Sequence, residues 1–423
     1  MKVLVVGLGY VGLPIALAFA KKYYTIGFDI NKEKIRLYKK GIDVTNEAGD
    51  LKIKKSKIVF SDDENAIEAA DFIIVTVPTP VIQKNIPDLS FLISATKNIA
   101  KHLKLGATIV YESTVYPGVT DEICIPILES VSKKILNKDF YVGYSPERIN
   151  AGDKKHTFER INKIVSGSNK KTSHYIKKIY KKVLKSNIME VSSIKVAEAS
   201  KIIENTQRDI NIAFMNEISK IFHLMGIDTK EVIEAAKTKW NFLDFNPGLV
   251  GGHCISVDPY YLAYKAKQLR YDPTFILSGR CVNDSMGNYV ARAIVESLIK
   301  KNIILKKAKV LILGITFKEN VNDIRNSKVV DIVNALNLYN CNVYIKDYNV
   351  CSKDVYNMYG LKLSNINEKV DVVVIAVKHD KYKMFTVEEL KDMYQNQKRI
   401  LFDLHGIYDK KLLEKEGFEV WRL

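Results

Sequence analysis

Long apolar runs, arginine and cysteine are all scarce in this chain of 423 residues. No stretch of about 18 or more apolar residues occurs, which predicts that the chain does not span a membrane. The apolar start, MKVLVVGLGYVGL, is interrupted by glycines. We therefore interpret it as a strand and a turn, not a signal peptide, and expect a cytoplasmic protein.

Arginine supplies only 10 of the 65 basic residues, although the net charge is +17. Such a charge would suit nucleic acid, a membrane surface or an anionic small substrate. The lysines occur as scattered pairs, such as Lys39-Lys40 and Lys133-Lys134, without the interleaved aromatics of nucleic-acid-binding modules. A solvated lysine-rich surface is the simpler interpretation, so we expect neither a nucleic-acid nor a membrane partner.

The five cysteines form an odd set without a CxxC pair. Neither a disulfide framework nor a zinc site is indicated by this spacing, and we predict no metal site. Reduced thiols in a reducing compartment are the simpler account.

Apolar runs separated by helical segments indicate an α/β first region, which we expect to end near residue 190. A helix is predicted over residues 13–22, where Pro14 suits the first turn. Continuous apolar runs, typical of strands buried in a parallel sheet, lie at residues 2–6, 25–29, 72–77 and 108–112.

A long helix is predicted next, over residues 194–225, because apolar residues recur at helical spacing and Gly226 ends the pattern. Further helices continue to about residue 300. A second α/β region follows, with Gly314 alone where the first region has three glycines. Its strands are predicted at residues 309–313, 342–346, 372–377 and 400–404.

The expected fold is therefore α/β, with two Rossmann-like doubly wound domains joined by a long central helix and a helical domain. We predict a dinucleotide-binding domain at 1–190, a helical domain with a cysteine loop at 191–300, and a second α/β domain at 301–423.

A Gly-x-Gly-x-x-Gly motif follows the first predicted strand and opens the first helix. Gly7 permits a tight turn, Gly9 lets backbone approach a pyrophosphate, and Gly12 allows close packing of helix on strand. The helix N-terminus offers N–H groups to phosphate. Asp29 would accept hydrogen bonds from ribose hydroxyls and repel a 2′-phosphate, which favours NAD over NADP. We assign the whole turn to the cofactor: Gly7, Gly9, Tyr10, Val11 and Gly12.

Two threonines, Thr79 and Thr114, follow later strands, where a doubly wound sheet places ligand contacts. Ordinary turn residues are the alternative interpretation for both.

The most unusual segment is GLVGGHCISVDPYYL, which carries Cys254. Glycines before the cysteine would leave space for a ligand to approach. Asp258 and Pro259 suit the cap and first position of a helix, so Cys254 would lie ahead of a helix N-terminus, where a thiolate is stabilised. A small buried apolar residue is the alternative for any lone cysteine. His253 is a poor candidate for a base, because adjacent side chains usually point apart.

Lys201, Asn205 and Arg208 lie at i, i+4 and i+7 on the long helix, which puts them on one face. A solvated polar stripe is the alternative, but the apolar neighbours of these residues favour a packed helix.

Together these motifs resemble the UDP-glucose/GDP-mannose dehydrogenase family over nearly the whole chain. GLGYVGLP, FDIN, VPTP, ESTVYPG, YSPERI, the KxxxNxxR helix face, GGHCISVDPYYL and FKENVNDIRNS occur in the family's order. The variants YSPERI, Arg208 and GGHCxxVDPYYL look like the branch acting on UDP-N-acetylhexosamines, with UDP-N-acetylglucosamine as the first expectation.

The resemblance implies oxidation of a sugar C6 alcohol to a carboxylate in two NAD-linked steps. Cys254 would attack the aldehyde intermediate to give a thiohemiacetal and then a thioester, which water hydrolyses. Lys201 looks like the proton donor and acceptor or oxyanion stabiliser near C6, aided by Asn205. Asp258 and Thr114 resemble the residues that order the catalytic water, and Glu147 a further participant in hydrolysis.

The resemblance also assigns binding residues. Lys34, Thr79, Thr114 and Arg325 match positions that contact NAD. The C-terminal domain would bind UDP. The matching substrate positions are Arg148, Ile149, Lys201, Asn205, Arg208, Gly251, Phe317 and Lys318. The resemblance further implies a homodimer through the long helix and a product that feeds surface polysaccharide.

Two positions depart from the family pattern. Val257 stands where the UDP-glucose branch usually has lysine, which disfavours UDP-glucose. Trp240 stands where some relatives place a basic residue, which leaves the sugar epimer open. The alternatives are a UDP-glucose or GDP-mannose dehydrogenase, a non-catalytic nucleotide-sugar sensor, and a nucleic-acid-binding protein.

Overall fold

The structure is a computed structural model, and it describes residues 1–45, 47–82, 85–149, 157–364 and 368–423. The chain divides into two compact units. The first comprises Met1–Glu204 and Tyr260–Asp272, and the second comprises Asn205–Pro259 and Pro273–Leu423.

The first unit is built on an eight-stranded sheet with the order β10-β9-β8-β7-β4-β1-β2-β3. Neighbouring strands run parallel except for the β8–β9 pair. A short antiparallel pair, β5 and β6, lies outside this sheet. The strands are β1 (Lys2–Val6), β2 (Tyr24–Phe28), β3 (Val59–Ser61), β4 (Phe72–Val75), β5 (Val81–Ile82), β6 (Ile86–Pro87), β7 (Thr108–Tyr111), β8 (Tyr141–Tyr144), β9 (Lys163–Gly167) and β10 (Ile188–Glu190).

Helices connect these strands, and the direction of winding reverses between β1 and β4. Such a reversal opens a crevice at the carboxyl ends of the two strands, where doubly wound folds bind ligands. A π-helical turn, Thr120–Cys124, leads into the sixth helix. The helices are α1 (Gly12–Ala20), α2 (Lys32–Lys39), α3 (Asp50–Lys55), α4 (Asn65–Glu68), α5 (Ser90–Lys101), α6 (Ile125–Ser132) and α7 (Lys170–Val183).

The predicted long helix is confirmed as α8 (Ile194–Met225), with 32 residues. Gly226 ends it at φ +69°, a conformation that glycine adopts without steric cost. Among the residues that the structure describes, no helix is long and apolar enough to cross a membrane.

The second unit contains a five-stranded, wholly parallel sheet with the order β12-β11-β13-β14-β15. Its winding reverses at β11. The elements that follow α8 are α9 (Thr229–Ala236), α10 (Asp258–Gln268), α11 (Thr274–Asp284), α12 (Met286–Lys300), a 3₁₀ turn (Leu305–Lys307), β11 (Lys309–Leu313), α13 (Val329–Leu338), β12 (Asn342–Lys346), α14 (Ser352–Tyr359), β13 (Val372–Ile375), α15 (Asp380–Lys383), α16 (Val387–Asp392), β14 (Arg399–Asp403), α17 (Lys410–Lys415) and β15 (Phe418–Trp421).

The same type of hydrogen bond occurs just after the first strand of each sheet. The Leu8 N–H donates to the Asp29 carboxylate at 2.9 Å, and the Ile315 N–H donates to the Asp347 carboxylate at 2.7 Å. In both sheets the aspartate directly follows the second strand. The prediction of two doubly wound sheets joined by a long helix and a helical segment is therefore confirmed.

The predicted strands 2–6, 309–313 and 342–346 match the observed bounds, and the others are shifted or shortened by one or two residues. The first helix spans Gly12–Ala20 in place of the predicted 13–22. The three domain boundaries remain a prediction.

Candidate active site

The glycine turn after β1 has the packing that its motif predicts. Gly7 has φ +92°. A Cβ on Gly12 would collide with the Gly7 carbonyl and the Thr76 hydroxyl, so only glycine allows α1 to approach the strand. At Gly9, by contrast, none of the described residues apart from its chain neighbours has a heavy atom within 4 Å of a Cβ position. The turn is therefore closed on the protein side and open at Gly9, which fits the approach of a pyrophosphate.

Asp29 lies at the carboxyl end of β2 and is only 7% exposed. Its Oδ2 accepts hydrogen bonds from the Leu8 N–H and the Lys34 Nζ, both at 2.9 Å. Its Oδ1 accepts one from the Asn31 N–H at 3.0 Å. The structure thus brings Asp29, Lys34 and the glycine turn together, as a site for the ribose and phosphates of a dinucleotide requires.

The loops after β4 and β7 are tied to each other. The Thr79 hydroxyl donates to the Thr114 carbonyl at 2.6 Å, and the Ser113 hydroxyl donates to the Val77 carbonyl at 2.7 Å. The Tyr261 hydroxyl donates to the Thr79 carbonyl. Both predicted threonines therefore lie together at the carboxyl edge of the first sheet.

Glu147 and Lys201 form a buried ion pair in the first unit. The Lys201 Nζ lies 3.6 Å from the Glu147 Oε2, and both side chains are buried. The Ile149 N–H donates to the other carboxylate oxygen of Glu147. A buried lysine in contact with a carboxylate is suited to give and take a proton, because the low dielectric of the interior strengthens its interactions with the charges around it.

A second buried pair, Glu112 and Lys163, holds the loop that carries Glu147. The Lys163 ammonium donates to Glu112 and, at 2.8 Å, to the Pro146 carbonyl. The Tyr180 hydroxyl also donates to Glu112. Burial raises the pKa of Glu112 and lowers that of Lys163, while their mutual attraction opposes both shifts. The sequence interpretation missed this pair, and its only signal was a lysine beginning the short apolar run KIV.

Arg148 is held by groups of its own unit. It donates to the Asn162 carbonyl at 3.0 Å and forms an ion pair with Glu204. Ile149 is half-buried beside it. The guanidinium is therefore oriented in advance, which is useful for binding a charged ligand.

In the second unit, Asn205 and Asp258 are in direct contact. The Asn205 Nδ2 donates to the Asp258 Oδ2 at 2.5 Å, and both residues are buried. The predicted cap position is wrong by one residue, because α10 begins at Asp258 itself. The reason is that the Cys254 carbonyl already accepts the N–H groups of Val257 and Asp258, at 3.1 and 2.8 Å. The turn leading into α10 therefore begins at Cys254, which is half-buried.

Two of the three glycines before Cys254 are packed against the protein, which differs from the expected open surroundings, whereas a Cβ at Gly248 would meet no nearby atom of the described residues. A Cβ on Gly251 would lie 2.5 Å from the Asn326 carbonyl oxygen, and one on Gly252 would lie 2.7 Å from the Phe317 ring. Gly252 also has φ +83°. These glycines let another loop of the same unit approach closely.

His253 faces Asp323, with its Nε2 3.4 Å from the carboxylate. Burial favours the neutral acid, but hydrogen bonds from His253 and Arg325 outweigh it and hold the pKa of Asp323 well below its usual range. The Arg325 guanidinium donates two hydrogen bonds to the same carboxylate, at 3.0 and 2.7 Å.

The remaining predicted substrate residues differ in exposure. Phe317 and Lys318 are half-buried, with the Lys318 Nζ 5.4 Å from the Phe317 ring centroid. Arg208 is exposed, whereas Lys201 and Asn205 on the same helix are buried. The structure therefore does not place Arg208 in the buried setting of the other two.

Three models of one family match successive parts of the chain. The UDP-glucose/GDP-mannose dehydrogenase NAD binding domain matches residues 1–184, the central domain residues 195–285, and the UDP binding domain residues 311–410.

Similar proteins span the whole chain. Protein CapL of Staphylococcus aureus is 47% identical over 423 residues, which is 99% of each chain. A UDP-N-acetyl-D-glucosamine 6-dehydrogenase of Salmonella typhi is 46% identical and covers 96% of each chain. The solved UDP-D-ManNAc dehydrogenase of Pyrococcus horikoshii is 30% identical, with a TM-score of 0.89 over 100% of this chain and 99% of that one.

Proposed function

The chain belongs to the UDP-glucose/GDP-mannose dehydrogenase family, and we propose that it oxidises a UDP-N-acetylhexosamine at C6 to the uronic acid. It is an NAD-dependent dehydrogenase. UDP-N-acetylglucosamine is the first substrate we propose. The observation that carries this choice is 46% identity, over nearly the whole chain, to an enzyme named for that substrate.

NAD fits the glycine turn, because Gly9 is open, Gly12 is closely packed and Asp29 stands at the end of β2. When bound, it accepts one hydride in each of two oxidations. We propose that Gly7, Gly9, Tyr10, Val11, Gly12, Asp29, Lys34, Thr79, Thr114 and Arg325 hold it.

Cys254 is the proposed nucleophile. Its thiolate adds to the C6 aldehyde carbon and forms a C–S bond, which gives a thiohemiacetal. Oxidation of that carbon gives a thioester, and water then cleaves the C–S bond to release the carboxylate and restore the thiol. The proposal is supported by the position of Cys254 at the start of the turn into α10, because the N-terminal end of a helix favours a thiolate.

Lys201 is proposed to exchange the proton of the C6 oxygen and to stabilise negative charge on it. Its ion pair with buried Glu147 supports this role. Asp258, held by Asn205, is proposed to orient the hydrolytic water together with Thr114. Glu147 is the further participant in hydrolysis.

Substrate contacts are proposed for Arg148, Ile149, Lys201, Asn205, Arg208, Gly251, Phe317 and Lys318. The cationic side chains among them suit the diphosphate of a nucleotide sugar. We also propose the three domains 1–190, 191–300 and 301–423.

In the cell, the product would feed a surface polysaccharide. A cytoplasmic location is proposed because the chemistry needs a reduced Cys254 thiol, which a reducing compartment maintains. A homodimer is proposed through α8, where Phe214, Ile221 and Met225 are exposed.

A substrate panel tests the activity. Purified protein with NAD is offered UDP-N-acetylglucosamine, its galacto and manno epimers, UDP-glucose and GDP-mannose, and NADH and product mass are followed. We expect NADH with a UDP-N-acetylhexosamine and a product carrying a C6 carboxylate. NAD reduction with UDP-glucose or GDP-mannose alone would contradict the substrate assignment. Binding of UDP-sugars without any NADH would indicate a non-catalytic sensor.

A further inference from the structure

The loop that carries Cys254 is bridged by a single side chain from another loop of the second unit. Asn326 Nδ2 donates to the Gly252 carbonyl and to the Ser256 hydroxyl, both at 2.9 Å. The Asn326 backbone carbonyl accepts the Gly252 N–H at 3.2 Å. One residue therefore contacts the positions two before and two after Cys254.

The hydrogen bonds of this bridge are complementary. The Ser256 hydroxyl donates to the Gly252 carbonyl at 2.7 Å and accepts from Asn326, so both amide hydrogens and the hydroxyl hydrogen have acceptors. Ser256 is only 3% exposed, which makes an unsatisfied hydroxyl there costly. Gly251 also lies against the Asn326 carbonyl, where a Cβ would not fit.

The backbone of Asn326 is adapted to this position. Its φ of +51° lies in the left-handed region, which asparagine and glycine tolerate better than other residues. In that conformation the backbone carbonyl of Asn326 accepts the Gly252 N–H, and its side-chain amide donates to the Gly252 carbonyl.

We propose that Asn326 is a positioning residue for the nucleophile: it fixes the Cys254 loop in the conformation that begins the turn into α10. This rests on the proposed role of Cys254. In that conformation the Cys254 carbonyl accepts the Asp258 N–H at 2.8 Å, and the thiol stays ahead of the helix N-terminus. Without the bridge, the loop relaxes and the thiolate loses part of that stabilisation.

Asn326→Gly is the sharpest test, because glycine accepts the same backbone conformation and removes only the side-chain amide. Asn326→Asp keeps the size of the side chain but places an acceptor against the Gly252 carbonyl. Asn340→Gly is the matched control, since Asn340 is also exposed and has φ +60° at the end of α13.

Two readouts are used on the full-length enzyme. The first is the pH profile of iodoacetamide alkylation, resolved by peptide mass spectrometry so that Cys254 is followed apart from exposed Cys281 and Cys351. The second is kcat and KM with the nucleotide sugar that the panel identifies. We expect Asn326→Gly and Asn326→Asp to shift the Cys254 alkylation midpoint to higher pH and to lower kcat about tenfold.

The proposal is overturned if the Cys254 profile of both Asn326 variants matches that of the wild type, or if Asn340→Gly causes the same changes. It is also overturned if kcat falls while the alkylation profile does not move. If Asn326→Gly melts at a much lower temperature than the wild type, the alkylation profile and kcat of Asn326→Asp decide whether the proposal holds. Alkylation needs no substrate, so an absence of turnover in the wild type would count against the proposed function alone.

Discussion

At the scale of the residue, four of the candidate catalytic residues form two buried pairs. Lys201 has Glu147, and Asp258 has Asn205. An unpaired charge at such positions would cost several kcal/mol, so each candidate catalytic group needs a partner.

Motifs predicted the identity of these residues but not all of their partners. The contact of Glu147 with Lys201 joins distant parts of the sequence, and nothing in either motif specifies it. Lys163 was missed for the same reason, because its partner Glu112 follows a different strand. The close packing at Gly12 was predicted correctly, since the motif itself includes the close helix–strand approach. The packing of Gly251 against Asn326 could not be predicted, because Asn326 lies far along the chain.

Replacing Cys254 by serine tests the nucleophile directly. A serine hydroxyl is a weaker nucleophile than a thiolate, so we expect turnover to the acid to fall about a thousandfold or more. NAD binding should not change, because Cys254 is not among the residues proposed to hold NAD. NADH formation measures the first effect, and titration calorimetry with NAD measures the second. Near-native turnover in the variant would remove Cys254 from the chemistry.

At the scale of the element, the central strands were predictable and several outer ones were not. β1, β4 and β7 are buried along almost their whole length, so they appear as continuous apolar runs. β3 has one exposed, one buried and one partly buried residue, and β10 has only partly buried and exposed ones. With three residues each, these patterns are too short to recognise. β15, which alternates between buried and partly buried positions, was also missed. The long helix was predicted to the residue, because Gly226 marks its end.

Glu198 links α8 to the loop after β7 and makes stability depend on pH. Its carboxylate accepts the Gly118 and Thr120 N–H groups at 2.6 and 2.9 Å, and burial raises its pKa from 4.5 to about 7. The folded protein therefore keeps this proton to higher pH than the unfolded chain does. The stabilising effect of protonated Glu198 is present in full below about pH 4.5 and is lost as the pH rises through about 7.

We therefore expect the free energy of unfolding to fall by roughly 3 kcal/mol more in the wild type than in Glu198→Gln between about pH 5 and pH 8. Urea denaturation of both proteins at the two pH values measures the difference. Other titrating groups are common to both proteins, so they cancel. Equal pH dependence in the two proteins would contradict the assignment.

At the scale of the whole molecule, the sequence predicted three domains and the contacts divide the chain into two compact units. One of the divisions between the units falls inside α8, between Glu204 and Asn205. A continuous helix gives no break in periodicity, so a sequence pattern cannot locate a division inside it. Both sheets were predicted, because each begins with an apolar strand followed by a glycine, at Gly7 and Gly314.

The proposed homodimer can be tested on the exposed side of α8. Phe214, Ile221 and Met225 recur at helical spacing and are 55%, 44% and 61% exposed. An apolar stripe of this kind on a helix is usually covered by a partner. A second copy of this chain would bury the stripe, and two charges in its place would be costly to desolvate.

We expect the double variant Phe214→Glu with Met225→Glu to sediment as a monomer at micromolar concentration, where the wild type sediments at twice that mass. Analytical ultracentrifugation measures both. Met384→Glu is the control, because Met384 is 78% exposed at the end of α15 and lies off the stripe, so this variant should remain dimeric. Circular dichroism confirms that the variants are folded. A monomeric wild type, or a double variant that still dimerises, would exclude α8 as the interface, and the exposed stripe would then need another partner.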